Sequence, residues 1–288
     1  MMQLPVWFTQ EIPDRLVLSK LALLSEFNVR TVCQQARCPN LSNCFRRSAV
    51  TFMLLGDACT RNCKFCAVDK SGNRALDLDL SEPFRIAEVV KKMELSYVVL
   101  TSVTRDDLED GGAEQFAQTI ESIRSVDERI EAEVLIPDFR GNSDALKRLL
   151  DAGPCVVGHN METVRRLYQT VRPEADYGLS LQVLARIKKI NPGIVTKSSL
   201  MLGMGENESE VIDLMRSLKD SSCDIITLGQ YLAPSHSHYP VKRFVTPGEF
   251  ARYKEIAGAL GFKAALSGPL VRSSYQAQKV YQQFCFAA

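Results

Sequence analysis

Short apolar runs rich in β-branched residues alternate along this chain with longer stretches of 3.6-residue periodicity. The runs are Val50–Leu55, Tyr97–Ser102, Glu131–Ile136, Cys155–His159, Ile194–Leu202 and Asp224–Gly229. Most are apolar throughout rather than alternating, the pattern of parallel strands covered on both faces. Between them lie helical patterns at Glu82–Met93, Ala113–Val126, Ser143–Asp151, Met161–Thr170, Gly178–Ile190 and Glu208–Lys219. Pro83 suits a helix start, and Gly153-Pro154 and Gly193 mark ends. An earlier amphipathic helix near Arg15–Phe27 sets Leu16, Leu21 and Leu24 on one face. Six β–α units in succession predict an α/β fold with a parallel sheet and right-handed crossovers. Periodicity leaves two forms open, a partial barrel or an open doubly wound sheet. In a barrel, chemistry gathers at the C-terminal ends of the strands.

Composition narrows the function. The 288 residues carry a formal charge of +1 with both signs well mixed. No basic run points to nucleic acid, and no cationic amphipathic helix or long apolar stretch points to a membrane. The first fourteen residues lack a basic region followed by an apolar block, so they do not read as a targeting peptide. Six of the nine cysteines fall in two triplets, which fits a disulfide framework poorly and a reducing cytoplasm well. Cys155, Cys223 and Cys285 stand alone and read as packing thiols, and His236 and His238 form only an isolated pair. Gly203-Met204-Gly205-Glu206 lacks the third glycine and the lysine of a phosphate loop and reads as a turn.

The triplets carry the chemistry. Cys59, Cys63 and Cys66 occupy eight residues directly after the first strand, where a barrel places its site. A structural zinc site takes four ligands, usually in two pairs, and a dithiol needs only one Cys-x-x-Cys. Three thiolates on one loop fit a four-iron cluster that keeps one iron open for a ligand. Cys-x3-Cys-x2-Cys with an aromatic residue, Phe65, before the last cysteine resembles the radical S-adenosylmethionine enzymes. That resemblance implies that S-adenosylmethionine binds the open iron. Its reductive cleavage then gives a 5′-deoxyadenosyl radical that takes hydrogen from an unreactive carbon.

The second triplet, Cys33, Cys38 and Cys44, sits in a stretch containing Pro39, Asn40, Ser42 and Asn43 that reads as a loop. It suits a second cluster with a fourth ligand from elsewhere, or a zinc loop lacking one ligand. The order of the two triplets resembles the lipoyl synthases. So do Thr51–Val68, Leu100–Ala113, Val134–Gly141, Gly158–Tyr168, Val171–Leu181, Thr196–Glu206, Leu228–Phe250 and Ser267–Ala277. Departures are small: Gln-Gln-Ala-Arg between Cys33 and Cys38, Thr104 in place of Asn or Asp, and Gly158 in place of Asn.

This resemblance implies a partial (β/α)6 TIM-type barrel over 48–260, an N-terminal extension 1–47 with the auxiliary-cluster cysteines, and a C-terminal extension 261–288. It implies two 4Fe-4S clusters and S-adenosylmethionine as cofactors. Cys59, Cys63 and Cys66 would hold the catalytic cluster; Cys33, Cys38, Cys44 and Ser274, with Ser273 as the alternative, the auxiliary one. Ser274 and Arg272 lie in Arg-Ser-Ser-Tyr, which otherwise reads as a loop before a final helix, Gln276–Phe284. A serine oxygen is a poor match for iron among soft thiolates, which suits a ligand that must be released. Arg272 would meet substrate carboxylate or amide groups.

Phe65 of the cysteine motif and polar residues at the strand ends are expected at S-adenosylmethionine: Thr101, Ser102, Asp106, Glu133 and Asn160, with Arg105, Asp107, Asp138, Arg140, His159 and Lys197 nearby. The implied reaction inserts sulfur at C6 and C8 of a protein-bound octanoyl-lysine, and the auxiliary cluster is consumed as the sulfur source. Expected partners are octanoylated lipoyl-carrier domains, namely 2-oxoacid dehydrogenase E2 subunits and the glycine cleavage H protein. A ferredoxin or flavodoxin as electron donor and an iron–sulfur carrier complete the set. Another two-cluster sulfur inserter, an electron carrier or a zinc protein are the other readings. They predict, respectively, a different substrate, no cleavage of S-adenosylmethionine, and a colourless protein.

Overall fold

The computed structural model describes residues 4–70 and 77–287, so the outermost residues of both expected extensions lie outside it. The chain opens with helix α1 (Arg15–Glu26), capped by the Asp14 carboxylate accepting from the Val17 amide at 3.0 Å. Val17 and Leu24 are its fully buried residues, while Leu16 is half exposed. The apolar face is therefore turned by about one position from the expected one. The stretch expected as a cysteine loop is mostly helical, with α2 (Val32–Gln35) carrying Cys33 and α3 (Leu41–Arg46) carrying Cys44. Cys38 lies in the turn between them.

The β–α units follow: β1 (Thr51–Leu54), α4 (Glu82–Lys92), β2 (Tyr97–Ser102), α5 (Ala113–Val126), β3 (Glu131–Leu135), α6 (Ser143–Asp151) and β4 (Val156–Gly158). Then come α7 (Tyr168–Val171), α8 (Tyr177–Ile190), β5 (Val195–Leu202), α9 (Glu208–Asp220), β6 (Ile225–Gln230), α10 (Pro247–Ala259), β7 (Ala264–Gly268) and α11 (Ala277–Ala287). The helix expected at Met161–Thr170 starts later, as a 3-10 turn at Arg165–Leu167 running into α7. The reason is local: Glu162 and Met201 exchange backbone hydrogen bonds with the Ser199 carbonyl and with the Glu162 carbonyl. That pairing keeps the segment extended beside β5.

All seven strands are parallel and lie in chain order, β1-β2-β3-β4-β5-β6-β7. The sheet is thus an open barrel with one more strand than the six expected. Unit α10–β7 had clear start signals, since Thr246 and Glu249 form a capping box around Pro247. Val98 and Leu100 on β2 belong to the main core that includes α4 and α5. Tyr97 and Val99, on the opposite face, pack on Ala277 of α11. Val280 and Phe284 of α11 pack with Val156, Val195 and Ile225, so the last helix closes the N-terminal end of the barrel.

The two sheet edges are tied together by the terminal segments. The backbone at Arg30–Thr31 pairs with β1, the Met53 amide donating to the Arg30 carbonyl at 2.9 Å. Residues 269–275 cross toward β1, where Asn40 Nδ2 donates to the Leu270 carbonyl at 2.5 Å and Thr51 Oγ1 to Ser274 Oγ at 2.9 Å. Gly229 allows the crossing, because a Cβ there would collide with the Val271 carbonyl oxygen.

Candidate active site

Two cavities open on the barrel, one at each triplet. The first, of about 160 Å³, lies at the C-terminal ends of the strands and is lined by Cys59, Cys63, Phe65, Cys66, Thr101, Ser102 and Asn160, all expected there. Arg61, Asp138, His159, Glu162 and Arg172 also line it.

The cysteine loop is held from several sides. The Arg61 guanidinium is 8% exposed and forms two-pronged ion pairs with Asp106 (2.7 and 2.8 Å) and Asp138 (2.6 and 2.7 Å). Lys64 is pinned through its amide to the Val171 carbonyl, and its carbonyl accepts from the Tyr239 amide, both at 2.8 Å. The His238 ring lies between Ser235 Oγ at 2.8 Å and the Cys66 carbonyl at 3.1 Å. Cys59 Sγ accepts from the Arg61 and Thr104 amides at 3.5 and 3.4 Å. Thr104 takes part through its backbone, which explains why Thr serves where Asn or Asp was expected.

Burial pushes the thiols up: Cys66 to about 11, and Cys63 in the same direction although Arg172 opposes it. Cys63 and Cys66, which resist ionisation, line the cavity with Cys59, and such a set suits a cationic iron cluster, which would supply the missing positive charge and release protons on loading. His159 is fully buried; its Nδ1 lies 2.9 Å from the Ile136 carbonyl while Nε2 has no partner among the described residues. A ring that donates through Nδ1 leaves Nε2 as a hydrogen-bond acceptor at the cavity wall, the kind of group a polar cofactor satisfies. Asn160 Nδ2 donates to Glu162 Oε1 at 2.9 Å, and burial, opposed by Arg172, pushes the Glu162 carboxyl up. Arg172 is anchored by the Asn160 carbonyl and the Tyr168 hydroxyl, both at 2.9 Å.

The second cavity, of about 170 Å³, is lined by Cys33, Cys38, Cys44, Thr51, Tyr97, Arg272 and Ser274 among others; Ser273 is not part of its wall. Burial raises Cys33 to about 12 and Cys44 to about 11. Three thiols and a hydroxyl on one wall again suit a cluster. Arg272 lines this cavity, and its charge interacts with Cys38 and with Glu162, a lining residue of the first.

Two expected residues sit elsewhere. Asp106 is engaged by Arg61 behind the cysteine loop. Glu133 lies inside the barrel, accepting from Lys197 Nζ and the Tyr97 hydroxyl, each at 2.8 Å. Glu162, Arg172 and Arg61 were missed in the sequence. Their only signal was charge next to strands and cysteines, and nothing local says such residues will be buried.

An open parallel barrel with a thiol triplet at its strand ends defines the class, and a model of the radical SAM superfamily matches residues 53–218. The chain is 14% identical to methylornithine synthase, with a TM-score of 0.53, over 77% of this chain and 72% of that one. It is 10% identical to SuiB of Streptococcus suis bound to S-adenosylmethionine, with a TM-score of 0.57, over 81% and 54%. These likenesses concern the fold. The chain is also 50% identical over 273 residues to the lipoyl synthase of Caldanaerobacter subterraneus subsp. tengcongensis, covering 95% of each. With that of Caldicellulosiruptor saccharolyticus it shares 50% over 276 residues, covering 96% of each. The chain belongs to the lipoyl synthase family of the radical SAM superfamily. It is a sulfur-inserting radical enzyme using S-adenosylmethionine and two 4Fe-4S clusters, and it acts on lipoyl-carrier proteins.

Proposed function

We propose that Cys59, Cys63 and Cys66 hold the catalytic cluster, and that Cys33, Cys38, Cys44 and Ser274 hold the auxiliary cluster that is consumed in inserting sulfur at C6 and C8 of a protein-bound octanoyl-lysine. The observation that carries this reading is the pair of cavities, each lined by one triplet, with Ser274 and Arg272 on the wall of the second. When loaded, the first site supplies a radical that abstracts hydrogen and the second supplies sulfur.

The chain's own residues do the rest. Arg172 offers a positive charge suited to the methionine carboxylate, and Thr101, Ser102 and Asn160 offer polar groups for the nucleoside, with Phe65 as an apolar wall. Asp106 acts indirectly, by holding Arg61 and with it the loop. Glu133, with Lys197, keeps a neutralised polar layer inside the barrel. Arg272 orients the amide end of the substrate arm. Residues 1–47 and 261–288 act as extensions that assemble the auxiliary site on a barrel spanning 48–260, β7 lying within the second of them.

The carriers are E2 subunits of 2-oxoacid dehydrogenases and the glycine cleavage H protein. A ferredoxin or flavodoxin supplies the electron, an iron–sulfur carrier rebuilds the spent cluster, and the cytoplasm is the compartment. Among the described residues no helix is long and apolar enough to cross a membrane. The test is anaerobic reconstitution followed by dithionite, S-adenosylmethionine and an octanoyl-lysine peptide, with products read by mass spectrometry. About eight irons are expected, four per cluster, with 5′-deoxyadenosine and a doubly thiolated peptide. Cys63→Ala should abolish cleavage of S-adenosylmethionine. Cys38→Ala should cleave it without adding sulfur; normal sulfur insertion by that variant refutes the assignment of the donor site.

A further inference from the structure

Ser274 lies in residues 269–275, a stretch outside any strand or helix and held by turns. Something other than local structure must therefore place its oxygen. Thr51 opens β1, is 5% exposed, and is locked in register opposite Val99. Its hydroxyl donates to Ser274 Oγ at 2.9 Å, and both residues line the second cavity together with Cys33. Thr51 thus touches one of the four donors assigned to the auxiliary cluster while standing on a strand paired within the sheet.

We infer that Thr51 is a positioning residue for the auxiliary site: its hydroxyl holds Ser274 at the cluster wall. The inference rests on the assignment of Cys33, Cys38, Cys44 and Ser274 made above. A hydroxyl has one proton to give, so Thr51 engages one lone pair of Ser274 and leaves the other for iron. When the iron leaves, the same hydrogen bond keeps the serine in place. Asn40 secures the segment at Leu270, four residues upstream, and does not touch Ser274.

The test uses the full chain with Cys63→Ala, so that only the auxiliary cluster loads stably, and follows iron loss to a ferrous chelator under anaerobic conditions. Thr51→Val keeps the β-branched shape and removes the hydroxyl. Iron loss should quicken roughly tenfold, the scale of one ordinary hydrogen bond, and the Mössbauer signal of the oxygen-ligated iron should change. Thr51→Ser should restore both, and on a Ser274→Ala background Thr51→Val should add nothing. Should valine prevent loading, Thr51→Ala provides the same comparison. A loaded Thr51→Val protein with the parent's rate and spectrum overturns the inference, as does an undiminished effect without Ser274. A parent protein that holds no second cluster refutes the auxiliary-site assignment itself, and this inference with it.

Discussion

Arg61→Leu tests how the catalytic loop is held. The substitution removes four charge-assisted hydrogen bonds; Asp138 loses its cation, while Asp106 keeps Arg140 at 3.4 Å. The Asp138 side chain is 1% exposed and finds no solvent; Asp106, at 19%, is partly rescued by water. Breaking one partner out of a buried pair costs about 3–5 kcal/mol, here dominated by Asp138. For a chain of this size that corresponds to a fall in Tm on the order of 10 °C. Burial alone would push the Asp138 carboxyl up, but Arg61 overrides it and holds the group at about 2. In the parent, then, this stabilisation is present above the ordinary aspartate range and is lost as pH falls through about 2. In the variant only the Arg140 amide and nearby His159 still oppose burial, so the carboxylate becomes a penalty that acidification relieves. The stability gap between the two proteins should narrow as pH falls. Anaerobic thermal melts of the metal-free proteins across pH, with iron counts after reconstitution, measure it. Asp138→Asn added to Arg61→Leu should recover roughly 1–2 kcal/mol by removing the orphaned charge. A variant that melts with the parent, keeps a constant gap with pH and loads the catalytic cluster fully would refute the reasoning.

Two further outcomes are expected. Gly229→Ala puts a methyl group into the Val271 carbonyl and should lift residues 269–275 from the barrel mouth; iron at the auxiliary site should drop while S-adenosylmethionine cleavage persists, and equal loss at both sites would contradict this. Burial first, and Arg172 second, lower His159 to about 4. A buried neutral histidine contributes stability that is whole above its unfolded value of about 6.5 and is lost as pH falls toward 4, roughly 2 kcal/mol by pH 5. Urea titrations of the metal-free protein at pH 7.5 and 5 should show that slope, and His159→Gln should lack it.

The parallel strands were legible because a strand covered on both faces must be apolar nearly throughout, and all six expected ones start within one residue of their place. Helices α5 and α6 match their expected bounds for a similar reason: an amphipathic pattern with caps is a local property. The cysteine triplets were legible because ligands on one short loop are close in space whatever the fold. Helix Met161–Thr170 failed because pairing of Glu162 with β5 outweighed a local helical pattern, a tertiary override that periodicity does not carry. Strand β7 was missed because its residues are only half-buried and its companion α10 has a weak amphipathic pattern, although the Thr246 capping box was there to be read.

The sequence by itself therefore determined the β–α order, the two triplets, their spacing and the class of chemistry they suit. Only the tertiary structure decided which charges serve the loop rather than the cavity. It pairs Asp106 and Asp138 with Arg61, across 45 and 77 residues, and Glu133 with Lys197, across 64. It also decided that Ser274 lines the second cavity, brought to Thr51 across 223 residues. The physical reason is that hydrogen bonding and ion pairing act over a few ångströms of space. Along the chain these partners are far apart, and only the closing of the sheet by the terminal segments makes them neighbours.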